Sequence, residues 1–199
     1  MSPKKQLWIL VGGNGAGKST FYHTRLQRTG IPFINADIIA KDVFPDDPEG
    51  HSYDAAVIAE QRRERLLIEG RSFCFETVFS HPSKIDFIAK AKSYGFEVNM
   101  VFTHLLADQL NQARVNQRVK QGGHNVPEQK IKDRIPRVLA NVKTAIPLCN
   151  NILILDNSSS ENPYEVIATI KKGNTQIIKT NTWIREILSG QVSVSTEEA

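Results

Sequence analysis

Apolar runs alternate with amphipathic ones along the first 156 residues. Leu7-Trp8-Ile9-Leu10-Val11 is a short continuous apolar run, the pattern of a buried strand over residues 7–12. Residues 18–28 follow with helical spacing. Pro32-Phe33-Ile34-Asn35 predicts a short second strand, and residues 54–69 an amphipathic helix. The alternation continues with strand 72–76, helix 83–93, strand 97–104 and helix 107–121. Pro127 opens a further helix reaching about residue 145, and residues 151–156 form a fifth strand. Pro136 lies inside that helix between Arg134 and Arg137. It predicts a kink or an end, and suggests a hinge. This order predicts an α/β fold with a parallel sheet and helices on both faces.

After Asn157-Ser158-Ser159-Ser160 the pattern changes. Residues 166–170 and 175–180 are short β-like runs around Gly173-Asn174, the signature of a hairpin. Asn181 is placed to cap a last helix through Leu188. Residues 191–199 are polar and expected to fray. A single domain over residues 1–190 is the expectation.

Composition narrows the class. A chain of 199 residues that is 40% hydrophobic and 23% charged can bury a real core. No apolar run approaches the roughly 20 residues needed to span a bilayer, so no membrane role is expected. Met1-Ser2-Pro3-Lys4-Lys5 runs straight into the first strand, which argues against a signal peptide. Cys74 and Cys149 form no metal spacing. A reduced, cytoplasmic setting is the expectation. The net charge of +4 fits phosphorylated small molecules as well as nucleic acid.

Between the first strand and first helix stands Gly12-Gly13-Asn14-Gly15-Ala16-Gly17-Lys18-Ser19, followed by Thr20. It matches G-x-x-x-x-G-K-[ST] in the strand-loop-helix context that motif requires. The glycines let backbone N–H groups turn inward on phosphate oxygens, and the helix start adds its partial positive charge. Lys18 would reach the β- and γ-phosphates of ATP, and the Ser19 hydroxyl would ligate Mg²⁺. The dinucleotide pattern G-x-G-x-x-G is absent. No Asn-Lys-x-Asp is present for guanine. Leu188-Ser189-Gly190-Gln191 resembles a transporter-ATPase signature but lacks its second glycine.

Ligands of open α/β sheets bind beyond the carboxyl ends of the strands. Asn35-Ala36-Asp37, Glu76-Thr77 and Asp156-Asn157 fall there. Asp37 suits a general base for an attacking hydroxyl, and equally an N-cap for the turn at Ile38-Ile39-Ala40. Glu76 could orient a substrate, hold a Mg²⁺-bound water or make a structural hydrogen bond. Asp156 follows an apolar run, as a Walker B aspartate does, although a last strand often borders the adenine instead.

Basic residues cluster at 114–137, with Arg114, Arg118, Lys120, Lys130, Lys132, Arg134 and Arg137 against Glu128 and Asp133. Arg114 and Arg118 share a helix face. Gln121-Gly122-Gly123-His124-Asn125-Val126-Pro127 breaks that helix. The segment reads as a cationic lid that shields transferring phosphate from water, or as a solvated basic face. Nucleic acid is disfavoured, because aromatics do not interleave with the basic run.

These pieces together resemble the zeta-toxin family of P-loop kinases, in its compact bacterial form. The matching segments are the Gly12–Thr20 loop, Phe33-Ile34-Asn35-Ala36-Asp37, Phe75-Glu76-Thr77, Arg118-Val119 with Gly122-Gly123-His124 and Val126-Pro127, and Asp156-Asn157-Ser158. The resemblance implies a fold similar to nucleoside-monophosphate and shikimate kinases. It implies ATP and Mg²⁺, and a sugar hydroxyl of UDP-N-acetylglucosamine as acceptor. It makes Asp37 the base, with Lys18 and the lid cations Arg118 and Arg134 on the phosphates. Asn35, Glu76, Thr77, Arg114 and His124 would bind substrate, and an antitoxin would be a partner. Two positions depart from the pattern: Val78 replaces a second threonine, and His124 stands where relatives carry arginine. The expectation is an ATP-dependent small-molecule kinase. A kinase for another metabolite, or a nucleotide switch without an acceptor, are the rivals.

Overall fold

A computed structural model describes residues 4–106, 110–111, 113–115, 117 and 127–189. Seven strands form one sheet in the order β2-β3-β1-β4-β5-β6-β7. β1 (Gln6–Val11), β2 (Phe33–Ile34), β3 (Phe73–Thr77), β4 (Glu97–His104) and β5 (Asn151–Asp156) run parallel. β6 (Glu165–Lys171) and β7 (Asn174–Ile177) add an antiparallel edge. The expected hairpin around Gly173-Asn174 is present, with β7 ending at Ile177. Gly173 takes φ 84 in the turn.

The period-2 pattern of the strands decides the faces. Leu7, Ile9, Val11, Phe73, Phe75, Val98, Met100 and Phe102 join one core with α2 (Ala36–Val43), α3 (Ser52–Ile68), α4 (Ser83–Ser93), α5 (Glu128–Ala145) and α6 (Thr182–Leu188). Leu10, Cys74, Val101 and Leu155 point the other way, onto Phe21, Tyr22 and Leu26 of the first helical run. The buried helical side chains among the described residues therefore divide unequally between the two faces.

That first run is not uniform. It begins as α1 (Lys18–Phe21), widens to a π-turn over Tyr22–Leu26, and tightens to 3₁₀ over Gln27–Thr29. Thr24 donates its hydroxyl to the Thr20 carbonyl at 2.8 Å, an i−4 bond of the kind that bends helices. Gly30, at φ 72, closes the run.

α5 runs through Pro136 to Ala145, so of the two expected outcomes the helix does not end there. Ile131 lies buried on one side of the proline and Val138 and Val142 on the other. Packing of that stripe outweighs the backbone hydrogen bond the proline removes. Asn181 caps α6 as expected, accepting from the Ile184 N–H at 3.0 Å. No helix among the described residues is long and apolar enough to cross a membrane.

Gly12 sits where β1 meets β4. A Cβ built there would fall 2.2 Å from the Thr103 carbonyl oxygen, and φ is 153. Gly12→Ala is expected to cost about 3 kcal/mol or more, since a main-chain oxygen cannot swing aside. Urea unfolding would show it as a lowered midpoint with unchanged slope.

Candidate functional site

The loop 12–17 lies at the carboxyl end of β1, the middle one of the five parallel strands. Gly12, Gly15 and Gly17 have φ of 153, 78 and 94. The last two lie in left-handed space that side chains rarely adopt. Two distant residues pin the loop. Asn157 donates Nδ2 to the Ala16 carbonyl at 2.9 Å, and Tyr164 donates its hydroxyl to the Gly17 carbonyl at 2.8 Å. Asn157 in turn accepts the Tyr164 N–H at 3.2 Å. Burial raises the Tyr164 pKa, which keeps that hydroxyl a donor.

Lys18 is buried, and its Nζ reaches back to the Gly13 carbonyl at 3.0 Å. Ser19 donates its hydroxyl to Glu76 Oε2 at 2.5 Å, joining the helix start to the end of β3. Helical residues 110–111, 113–115 and 117 pass over the loop. The Asn111 carbonyl and Arg114 Cβ would stand 2.9 and 3.2 Å from a Cβ on Gly15. Asn111 is itself buried, and its Oδ1 has no hydrogen-bond partner among the described residues.

A cleft of about 450 Å³ opens beside the loop. Asn14, Gly15, Lys18, Asn35, Asp37, Glu76, Thr77 and Arg134, all named from the sequence, line it. Arg134 donates to Asn14 Oδ1 at 3.1 Å, tying α5 to the glycine loop. Burial lowers the Arg134 pKa, with Arg137 adding like charge. Arg114 lies against Gly15 and does not line the cleft. Arg118 and His124 fall outside the described residues, as do residue 116 and the whole of 118–126 within the expected lid.

Asp37 does not cap a helix. Asn35 does, its Oδ1 accepting from the Asp37 N–H at 2.7 Å and the Ile38 N–H at 3.3 Å. Asp37 sits in the first turn of α2 with its side chain at the cleft. Asn35→Ala is expected to cost about 1 kcal/mol, read as a lowered thermal midpoint.

Thr77 turns its oxygen to the Phe79 N–H at 3.0 Å, and Phe79 takes φ 67 while fully buried. Asn141 of α5 donates to the Phe79 carbonyl at 2.9 Å. This strained corner is held by packing and by that amide. Val78 lines the cleft, so the position where relatives place threonine is an apolar wall here. Asp156 accepts the Ser158 N–H at 2.8 Å and is absent from the cleft lining.

Two cleft cations escaped the sequence pattern, Arg63 on α3 and Lys84 on α4. Nothing local marks them, since each is one cation among several on a polar helix. The neighbours of the loop at Asn111 and Tyr164 were equally silent. With Arg63, Lys84, Lys130, Lys18 and Arg134, the cleft holds five cations against Asp37, Glu60 and Glu76. The balance favours an anionic ligand.

A glycine loop between the central parallel strand and a helix, beside a cationic cleft, defines a P-loop NTPase-type fold of kinase-like form. The chain belongs to the family described as AAA domain, which matches residues 7–138. An uncharacterised protein of Haemophilus influenzae is 30% identical over 138 residues, spanning 66% of this chain and 98% of its own. AvrRxo1-ORF1:-ORF2 with ATP superposes with a TM-score of 0.74 at 17% identity, over 98% of this chain and 67% of that one. The PezAT chromosomal toxin-antitoxin system of Streptococcus pneumoniae gives 0.67 at 16%, over 100% and 82%. At these identities the structural likeness concerns the fold.

Proposed function

We propose that this protein is an ATP-dependent kinase that phosphorylates a hydroxyl of a small molecule. The observation that carries the reading is the convergence of Lys18, Asp37, Glu76 and Arg134 on one cleft beside the glycine loop. The loop's left-handed glycines and buried lysine suit a triphosphate. Among the described residues no three His, Cys, Asp or Glu side chains converge. A Mg²⁺ ion would therefore take Ser19 and phosphate oxygens, with Glu76 beside it, and would neutralise charge on the phosphates.

The acceptor oxygen attacks the γ-phosphorus while the bond from that phosphorus to the ADP oxygen breaks. Asp37 receives the hydroxyl proton. Lys18 and Arg134 hold the negative charge that moves onto the ADP leaving group. Helix α5 brings Arg134 onto the loop and keeps water from that side. The lid function of residues 114–137, with Arg118 and His124, belongs to this same reading.

UDP-N-acetylglucosamine is the first acceptor to try, on the strength of the resemblance and the PezAT fold match. An antitoxin is the corresponding partner, and the cytoplasm the corresponding setting. Incubation with Mg·ATP and a panel of UDP-sugars, nucleotides and other metabolites tests the reading. A mass gain of one phosphate on a panel member, with matching ADP release, is the expected result. ATP binding without acceptor-dependent ADP release would overturn it in favour of a nucleotide switch.

A further inference from the structure

Arg63 is a buried cation on the wall of the cleft. It stands on the inward face of α3 at 7% exposure, and its Nε has no partner among the described residues. Its guanidinium lies over the Phe75 ring at 5.1 Å and the Phe87 ring at 5.8 Å. Those rings stack against its plane and give Nε no acceptor. The nearby carboxylates compensate only in part. Glu64 is bonded to Lys90, and Glu60, in the same cleft, is exposed to solvent, so both offset the Arg63 charge incompletely. Burial lowers the Arg63 pKa.

Lys84 faces the same space from the first turn of α4. Burial lowers its pKa and the charge of Arg63 lowers it further, with Glu60 opposing in part. Two cations drawn out of water and set against each other are costly unless an anion joins them. Both line the cleft that holds Asp37 and Glu76.

We propose that Arg63 and Lys84 form an anion subsite in the acceptor part of the cleft. The alcohol phosphorylated here would then carry a phosphate or carboxylate group apart from its reacting hydroxyl. A planar guanidinium fork held on two rings suits either group, because its orientation is set before binding. An anchor away from the reacting atom positions the hydroxyl. The link to an acceptor rests on the kinase reading above, whereas the subsite stands on Arg63 and Lys84 alone.

The test fills the phosphate loop first. The full chain is saturated with Mg²⁺ and a non-hydrolysable ATP analogue. It is then titrated calorimetrically with inorganic phosphate in one arm and succinate in the other. One-to-one saturable binding is expected in at least one arm, and the arms separate phosphate from carboxylate. Arg63→Met and Lys84→Met should each weaken it about tenfold or more, while analogue affinity holds. Arg63→Lys should retain most of it. Absence of saturable binding to the native chain, or binding that both methionine variants leave intact, overturns the proposal. Should Arg63→Met fail to fold, Lys84→Met at its half-buried position decides alone. The kinase reading fails separately, when anion binding persists but no metabolite gains phosphate.

Discussion

Lys18→Met is expected to lower phosphoryl transfer by about 10³ or more, and to weaken ATP binding measurably. Methionine nearly keeps the length of the side chain and removes its charge. Lys18 is only 7% exposed, and its Nζ lies 3.0 Å from the Gly13 carbonyl. From there it can move onto phosphate oxygens without leaving the loop. The cradle's geometry rests on Asn157, Tyr164 and the glycines, so it should survive the substitution. Removing the buried charge also removes the cost of keeping it out of water. The thermal midpoint should therefore hold or rise while turnover collapses. Retained turnover in a folded Lys18→Met protein would mean that this loop does not serve the phosphates.

Asp37→Asn is the second large effect. The amide keeps the shape and can still accept hydrogen bonds, but it is a far weaker proton acceptor. We expect kcat to fall by about 10²–10⁴ with ATP affinity nearly unchanged. The KM for the acceptor should move little, because the lost interaction forms as the proton leaves. The helix should also survive, since Asn35 supplies its cap and not Asp37. An unchanged kcat would remove Asp37 from the chemistry and direct attention to Glu76, already bonded to Ser19.

The contrast between Asp37 and Asn35 shows how far local pattern carries. Both are good cap residues, and they lie two apart. Spacing alone left Asp37 equally suited to base and cap. The choice depends on where β2 stops, and β2 is a two-residue strand held to β3 through Phe33–Cys74 and Ile34–Phe75. Pairing with a strand forty residues away thus settled which of the two carries the cap. Pro136 teaches the same in reverse. Backbone rules allowed a kink or an end at Pro136, and the buried stripe of α5 carried the helix across it without an end.

The α/β order, the glycine loop, the β6-β7 hairpin, the cap at Asn181 and the strand-end carboxylates were legible from the chain alone. Each is written in spacings of two, three or four residues, or in a contiguous motif, and the backbone enforces such spacings wherever the segment lies. The pinning of the loop by Asn157 and Tyr164, the Arg134–Asn14 bond across 120 residues, and the cleft end built from Arg63 and Lys84 belonged to tertiary structure. These contacts join side chains from elements that only the parallel crossovers bring together. Each of these residues is ordinary in its own segment, and acquires its environment when the sheet and its helices close around it.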